Sequence, residues 1–266
     1  MSKATFNIAA IVAAGLGLTA TAQATVVDLT GSNDSGTIAG AQFVYTAQQP
    51  TGTGVIDPFL RLQATPTEQG YNTSAATPQG PFDDKAGIWT HDIQLSDLQA
   101  STVSLNGTQY FKLLLDVNEP NSASLISLDK LQIYTSPTAS QTTTNVSSLG
   151  VLRYDLDSAG DSYVLIDAAR NHGSGSGDIY AYIPVANFAG ASSSDYVYLF
   201  SRFGDQEAAD ATSAGGFEEW SIVKNVTPVP EMSALFPIVG LMAAVLSTNV
   251  LRRRRMARMA IPVRIS

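Results

Sequence analysis

The chain contains no cysteine, which excludes disulfides, thiolate metal sites and cysteine nucleophiles together. An oxidising destination offers it no covalent staple, so stability has to come from a buried core. Histidine is nearly absent: His91 and His172 are the two copies, in no His-x-x-x-His or His-Glu-x-x-His arrangement and in no recognisable nucleophile motif. Basic residues are scarce where acidic ones gather. All 23 Asp and Glu lie between Asp28 and Glu231, alongside 8 of the 15 Lys and Arg, a net charge of −15 over that stretch. Such a field repels nucleic acid and anionic lipid and favours divalent cations or basic partners. A sustained 3.6-residue apolar period is also missing between Thr25 and Val226, where Leu95 to Ala100 and Ala186 to Ala189 have room for brief helical turns.

What is present is the pattern of an all-β protein. Short runs rich in Val, Ile, Leu, Tyr, Phe and Thr recur at Phe59 to Gln63, Gln109 to Val117, Ser127 to Tyr134, Tyr163 to Asp167, Asp178 to Ile183, Tyr196 to Arg202 and Trp220 to Lys224, separated by Gly, Asn, Asp, Ser and Pro. In Ile179 to Ile183 and Tyr196 to Phe200, neighbours point to opposite sheet faces, so one apolar set turns inward and tyrosines line the other side. Short strands of this kind bury their apolar faces by pairing two sheets, which predicts an antiparallel β-sandwich or jelly roll. Residues 48–54, 65–81 and 135–148 read as polar surface loops, the last dividing two halves of one sandwich.

The two ends follow a different logic. Lys3, the apolar run Ile8 to Leu18 and the small residues ending Ala22-Gln23-Ala24 predict a secretory signal peptide over 1–24, with an A-x-A cleavage site at Ala22 and Ala24. Met232 to Leu251 carries no charge, and twenty residues of helix at about 1.5 Å each span roughly 30 Å of hydrocarbon. The four arginines Arg252 to Arg255 halt translocation and stay cytoplasmic, which places the acidic domain, 25–226, outside. The expected plan is therefore a β-sandwich flanked by a signal peptide and a C-terminal transmembrane helix (232–251) with a basic tail (252–266).

Val229-Pro230-Glu231, the apolar span and Arg252, Arg253, Arg254 and Arg255, in that order, resemble the PEP-CTERM sorting signal of exported bacterial proteins. Met232 stands where the second proline of the name-giving tripeptide would be, and residues 256–266 continue past the arginines. The resemblance covers about 30 residues within 227–266 and implies a Gram-negative-type bacterium, passage through the export machinery, and an exosortase-type membrane enzyme as processing partner. It also implies a transient inner-membrane tether and delivery to the cell surface or extracellular matrix. Independently of any family, Pro230 keeps its neighbour extended and so presents Val229 to Glu231 as an accessible segment. The stretches LDVNEP (115–120), ISLDKLQIY (126–134), RYDLD (153–157), GSGSGDIYAYIP (173–184), YVYLFSRFG (196–204) and GFEEW (216–220) resemble a group of exported PEP-CTERM proteins, and this implies a shared β domain but no activity.

Candidate sites are few. Asp155, Asp157 and Asp161 form one carboxylate cluster, and Asp116, Asn118, Glu119 and Asn121 a second, with Asp178 after a Gly-Ser loop that has the reach to approach either. Oxygen-rich clusters in an acidic domain suit calcium, although Asp and Asn equally make turns and cap strands, and the spacing is no EF-hand. No cofactor is required. Trp89 and Trp220 are candidates for stacking on an extracellular polysaccharide, with core packing as the alternative. Glu218 and Glu219, the pair that a glycoside hydrolase would need, are adjacent on a strand and therefore face opposite ways. The reading is a non-enzymatic structural or binding protein, with no catalytic residue and no nucleic-acid partner, and a carbohydrate-binding module, calcium-dependent or not, as the alternative.

Overall fold

The computed structural model describes residues 23–31, 35–48, 56–75, 82–85, 87–171 and 177–224. Fourteen strands form two seven-stranded sheets: β1 (Val26–Asp28), β2 (Ser35–Ile38), β3 (Ala41–Gln48), β4 (Ile56–Leu62), β5 (Glu68–Tyr71), β6 (Ile93–Gln94), β7 (Thr102–Leu105), β8 (Thr108–Val117), β9 (Leu125–Ser136), β10 (Val151–Asp155), β11 (Tyr163–Asp167), β12 (Gly177–Pro184), β13 (Tyr196–Phe203) and β14 (Glu218–Val223). One helix, α1 (Leu95–Gln99), and four 3₁₀ turns, one of them Val185–Phe188, complete the described elements.

In the first sheet β9 lies at the centre, with β13 along one side and both β10 and β11 along the other; β1 extends the sheet beyond β11, and β5 and β6 beyond β13. The second sheet runs β2-β3-β12-β8-β14-β4, with β7 sharing the β14 side of β8. Pairing is antiparallel throughout except β1 with β11. The two long strands β8 and β9 thus each pair with two shorter strands along one edge.

Alternation sets the core. Phe111, Leu113, Leu115 and Val117 of β8, Ile179, Ala181 and Ile183 of β12, Trp220 and Ile222 of β14, and Val197, Leu199 and Phe203 of β13 belong to one buried cluster drawn from both sheets. Burial of each large apolar side chain stabilises the domain by about 1.5–3 kcal/mol. In β9 the period breaks: Ile126 and Leu128 face the core, and so do Leu131 and Ile133. A register shift opposite Arg202 and Phe203 makes Asp129 the extra residue of a bulge, and this restores the inward phase of the second half.

Two tight hairpins follow from backbone chemistry. Asn106 and Gly107 both have positive φ (51° and 82°) between Leu105 and Thr108, as a type I′ turn requires. Ala39 and Gly40 do the same between β2 and β3. The outer face of the first sheet carries Tyr71, Tyr134, Tyr198 and Phe200, covered by the polar segment between β9 and β10. There the Tyr71 hydroxyl donates to the carbonyls of Gln141 and Thr143 (3.1 Å each), and Tyr198 to Thr138 (2.7 Å). Segment 137–149 is therefore a strap over one sheet rather than a divider of two halves. Of the expected flanking elements, residues 1–22 and 225–266 lie outside the described residues.

Candidate functional site

The Asp155 to Asp161 cluster sits where one edge strand is interrupted. β10 and β11 run in the same direction along β9, and the loop between them leaves the sheet. Asp155 accepts from the Asp157 amide (3.0 Å) and from Gln132 Nε2 (3.2 Å). Asp157 accepts from the Ser162 amide (3.0 Å) and from Lys130 Nζ (2.9 Å), while Asp161 is exposed. The hydrogen bond and charge of Asp157 raise the Lys130 pKa. These carboxylates tie a loop, as Asp does in Asx turns. Among the described residues no three His, Asp or Glu side chains group as a metal site.

The second cluster is likewise divided. Asp116 lies on the outer face of β8, opposite Glu219 of β14, and accepts from Asn118 Nδ2 (3.0 Å). Glu119 turns the other way: its two oxygens accept the Ala214 amide (3.0 Å each), and Oε2 also accepts the Gly216 amide (3.3 Å). Gly216 is needed there, because a Cβ would sit 2.1 Å from the Asn118 carbonyl oxygen. Asp178 joins this end of the domain. One of its oxygens accepts the Val117 amide (2.7 Å) and the other is buried without a partner, and burial, reinforced by Asp116 and Asp167, pushes its pKa up to about 8.

The two tryptophans part company. Trp220 is 0 % exposed and its indole N–H donates across the sandwich to Ser201 Oγ (3.1 Å), so it is a core residue and unavailable as a stacking platform. Trp89 is 38 % exposed, in a turn with Ile88 at 76 %. The Arg61 guanidinium lies 4.6 Å from the Trp89 ring centre and 4.5 Å from that of Phe217, and its Nε donates to Glu219 (2.7 Å). Indole, guanidinium, phenyl and carboxylate thus form one cluster at the β4 edge. His91 donates its main-chain amide to the Phe59 carbonyl (3.0 Å) beside this turn; His172, Ala22, Val229, Pro230, Glu231 and Arg252 to Arg255 lie outside the described residues, and Ala24 is exposed just before β1.

Glu218 and Glu219 do face opposite ways. Glu219 meets Arg61 outside, whereas Glu218 shares the inward face with Trp220. There it meets Glu68, from β5 of the other sheet. Both are buried, Glu68 at 1 % and Glu218 at 0 % exposure, among Leu62, Val117 and Phe203, their inward-facing cross-strand neighbours. Glu68 Oε2 accepts the Ala64 amide (3.0 Å). The two carboxyls bond to each other only when one carries a proton; with both ionised, Glu68 Oε1 and both Glu218 oxygens have no partner. Burial raises the Glu68 pKa to about 7, and burial with the nearby Glu68 and Glu119 charges drives that of Glu218 well above the ordinary carboxylate range. The signal for this pair in the sequence is limited to two inward-phase acidic residues in strands, and nothing along the chain says that they meet.

Fold and site define a two-sheet, all-β protein with carboxylates locked into one end of its core. No protein-family profile matches the chain, and no curated protein or solved structure matches it.

Proposed function

We propose that the protein is an exported structural or binding module of the cell surface or extracellular matrix, delivered through segment 227–266 by an exosortase-type processing step and acting without covalent chemistry. The reading of the ends rests on the signal-peptide pattern and on the Val229-Pro230-Glu231, apolar, tetra-arginine order. The observation that carries the binding role is the turn displaying Ile88 and Trp89 against Arg61 at the edge of a rigid double sheet. An aromatic braced by the Arg61 guanidinium costs little entropy to present. Polysaccharide is the ligand class that suits it, since an indole beside guanidinium and carboxylate groups offers stacking and hydrogen bonds together.

The test is a pull-down of the mature protein on insoluble matrix polysaccharide, with and without chelator. Retention is expected to fall roughly tenfold for Trp89→Ala, the loss of about 1.4 kcal/mol of stacking. Equal retention of Trp89→Ala and wild type would remove the carbohydrate reading. Deletion of 227–266 is expected to release the domain from envelope fractions, and mass spectrometry of the native mature protein should find a C-terminus near Pro230. An intact C-terminal segment in matrix-borne protein would remove the sorting reading.

A further inference from the structure

We propose that the loop 156–162 is the binding site of the chain's own mature N-terminus, and that it receives the α-ammonium group which cleavage after Ala24 creates on Thr25. The inference rests on that cleavage site and goes beyond the sorting role. β1 begins at the second residue of the mature chain, and the first is already pinned. The Thr25 nitrogen donates to Ser162 Oγ (3.1 Å), and the Thr25 carbonyl accepts the Tyr163 amide (3.2 Å). Ser162 is buried, and its hydroxyl hydrogen goes to the Gly160 carbonyl (3.2 Å), which turns an oxygen lone pair to residue 25. A main-chain amide brings one hydrogen to that position. An ammonium brings three, and a full charge.

The loop is shaped around this segment. Gly160, at a φ of 140°, lets residues 23 and 24 lie across it, since a Cβ would sit 2.7 Å from the Ala24 nitrogen and 2.9 Å from the Gln23 carbonyl carbon. Charge matches as well as shape. Asp155, Asp157 and Asp161 all raise the pKa of Lys130, and Lys130 is committed to Asp157 Oδ2 (2.9 Å). Among the described residues, three carboxylates here meet one lysine, so a further cation is favoured. Asp157 Oδ1 accepts the Ser162 amide (3.0 Å), so two hydrogen bonds lead from the Thr25 nitrogen through Ser162 to a carboxylate, while Asp161 adjoins Ser162 on the exposed side. Of the other titratable groups on this edge, Asp28 is turned to Thr30 and Tyr163 pairs with Val26. What the docked terminus secures is β1, whose Val27 enters the core so close to Gly36 of β2 that a Cβ there would be 2.5 Å from Val27 Cγ2.

The experiment uses chain 25–266 in detergent, released from a fusion so that Thr25 is its first residue. The ¹³Cα shift of Thr25, followed against pH, is expected to give a midpoint above the ordinary α-amino range of about 7.7–8.0, and to return to that range in the Asp157→Asn, Asp161→Asn double variant. A raised folded value means that the stabilisation is complete below about pH 8 and is lost as pH climbs through that midpoint. A second chain carries an acetyl group on the Thr25 nitrogen alone, which takes the place of the Ala24 carbonyl, keeps one N–H and removes the charge. Its Tm is expected to be lower by roughly 1–3 °C at pH 7, and the difference to close above about pH 10, where neither terminus is charged. An ordinary midpoint, equal Tm values at pH 7, or a difference that persists unchanged above pH 10 would each overturn the proposal. N-terminal sequencing of the native protein checks the cleavage separately: a first residue other than Thr25 overturns the cleavage site, whatever the titration of the Thr25 chain.

Discussion

The loop at 155–161 and the Glu68–Glu218 pair use the same functional group under opposite conditions. In the loop, Asp155 and Asp157 each accept two hydrogen bonds, and a lysine answers one of them. In the pair, three carboxylate oxygens are buried with no donor but each other's proton. The loop looks like a site along the chain and behaves as a fastening. The pair is invisible along the chain and carries the electrostatic tension of the domain. Density of Asp in sequence therefore locates turns, whereas charge held at a cost is located by which strands the two sheets bring face to face.

The largest test of that contrast is pH. Burial makes Glu68 hold its proton to about pH 7 instead of the ordinary 4.5, and Asp178 to about 8 instead of 3.8. Between those limits the native state binds more protons than the unfolded chain, so stability falls as pH rises. The contribution is complete below about pH 4 and disappears through pH 7 to 8, on the order of a few kcal/mol for the Glu68–Glu218 pair taken as a unit. The urea midpoint should drop from pH 5 to pH 8, and the drop should be shallower in Glu218→Gln. A midpoint that climbs over this range would erase the distinction between pair and loop.

Glu119 offers the next largest effect. It combines features of both regions: it is buried like the pair yet satisfied by main-chain donors like the loop, and burial still raises its pKa against three hydrogen bonds. Glu119→Ala strands the Ala214 and Gly216 amides and should cost about 2–3 kcal/mol in urea denaturation, whereas Glu119→Gln keeps an acceptor and should cost about half as much. Equal losses would mean that packing, not hydrogen bonding, secures the 213–217 segment.

Much of the sandwich was legible and the reasons are specific. All seven expected strands occur, because each is a Val, Ile, Leu or aromatic run long enough to alternate, and α1 and the 3₁₀ turn at Val185–Phe188 fall where brief helical turns were expected. β5 (Glu-Gln-Gly-Tyr) is short and largely polar and β6 (Ile-Gln) is two residues long, so neither has a legible period, and both take their strand character from pairing with β13. β3 (Ala-Gln-Phe-Val-Tyr-Thr-Ala-Gln) buries Phe43 on its inward face, and its single short run is set between stretches of turn formers, Gly31 to Gly36 before it and Pro50 to Gly54 after it. Asp129 reads as an interruption of a strand and is a bulge, a distinction made by β13 rather than by local sequence. At the site, the opposed directions of Glu218 and Glu219 were legible from period two alone. The partnership of Glu218 with Glu68 was not, since strands far apart in the chain and on different sheets must first be placed.

The smallest effect belongs to the loop. Asp157→Ala removes an ion pair whose lysine side chain is 40 % exposed, together with one hydrogen bond to the Ser162 amide that water can replace in part. Exposed pairs of this kind contribute about 0.2–1 kcal/mol, and an Asx-type contact adds a comparable amount. The expected loss in urea denaturation is therefore about 1 kcal/mol, less in high salt as screening weakens the Lys130 interaction. Because Asp157 is fastened into the turn and does not reach the core, the loss of stability between pH 5 and pH 8 should persist in Asp157→Ala and shrink in Glu218→Gln. The reverse pattern, with the pH dependence lost in the loop variant and retained in the core variant, would mean that the surface cluster and not the buried pair sets it.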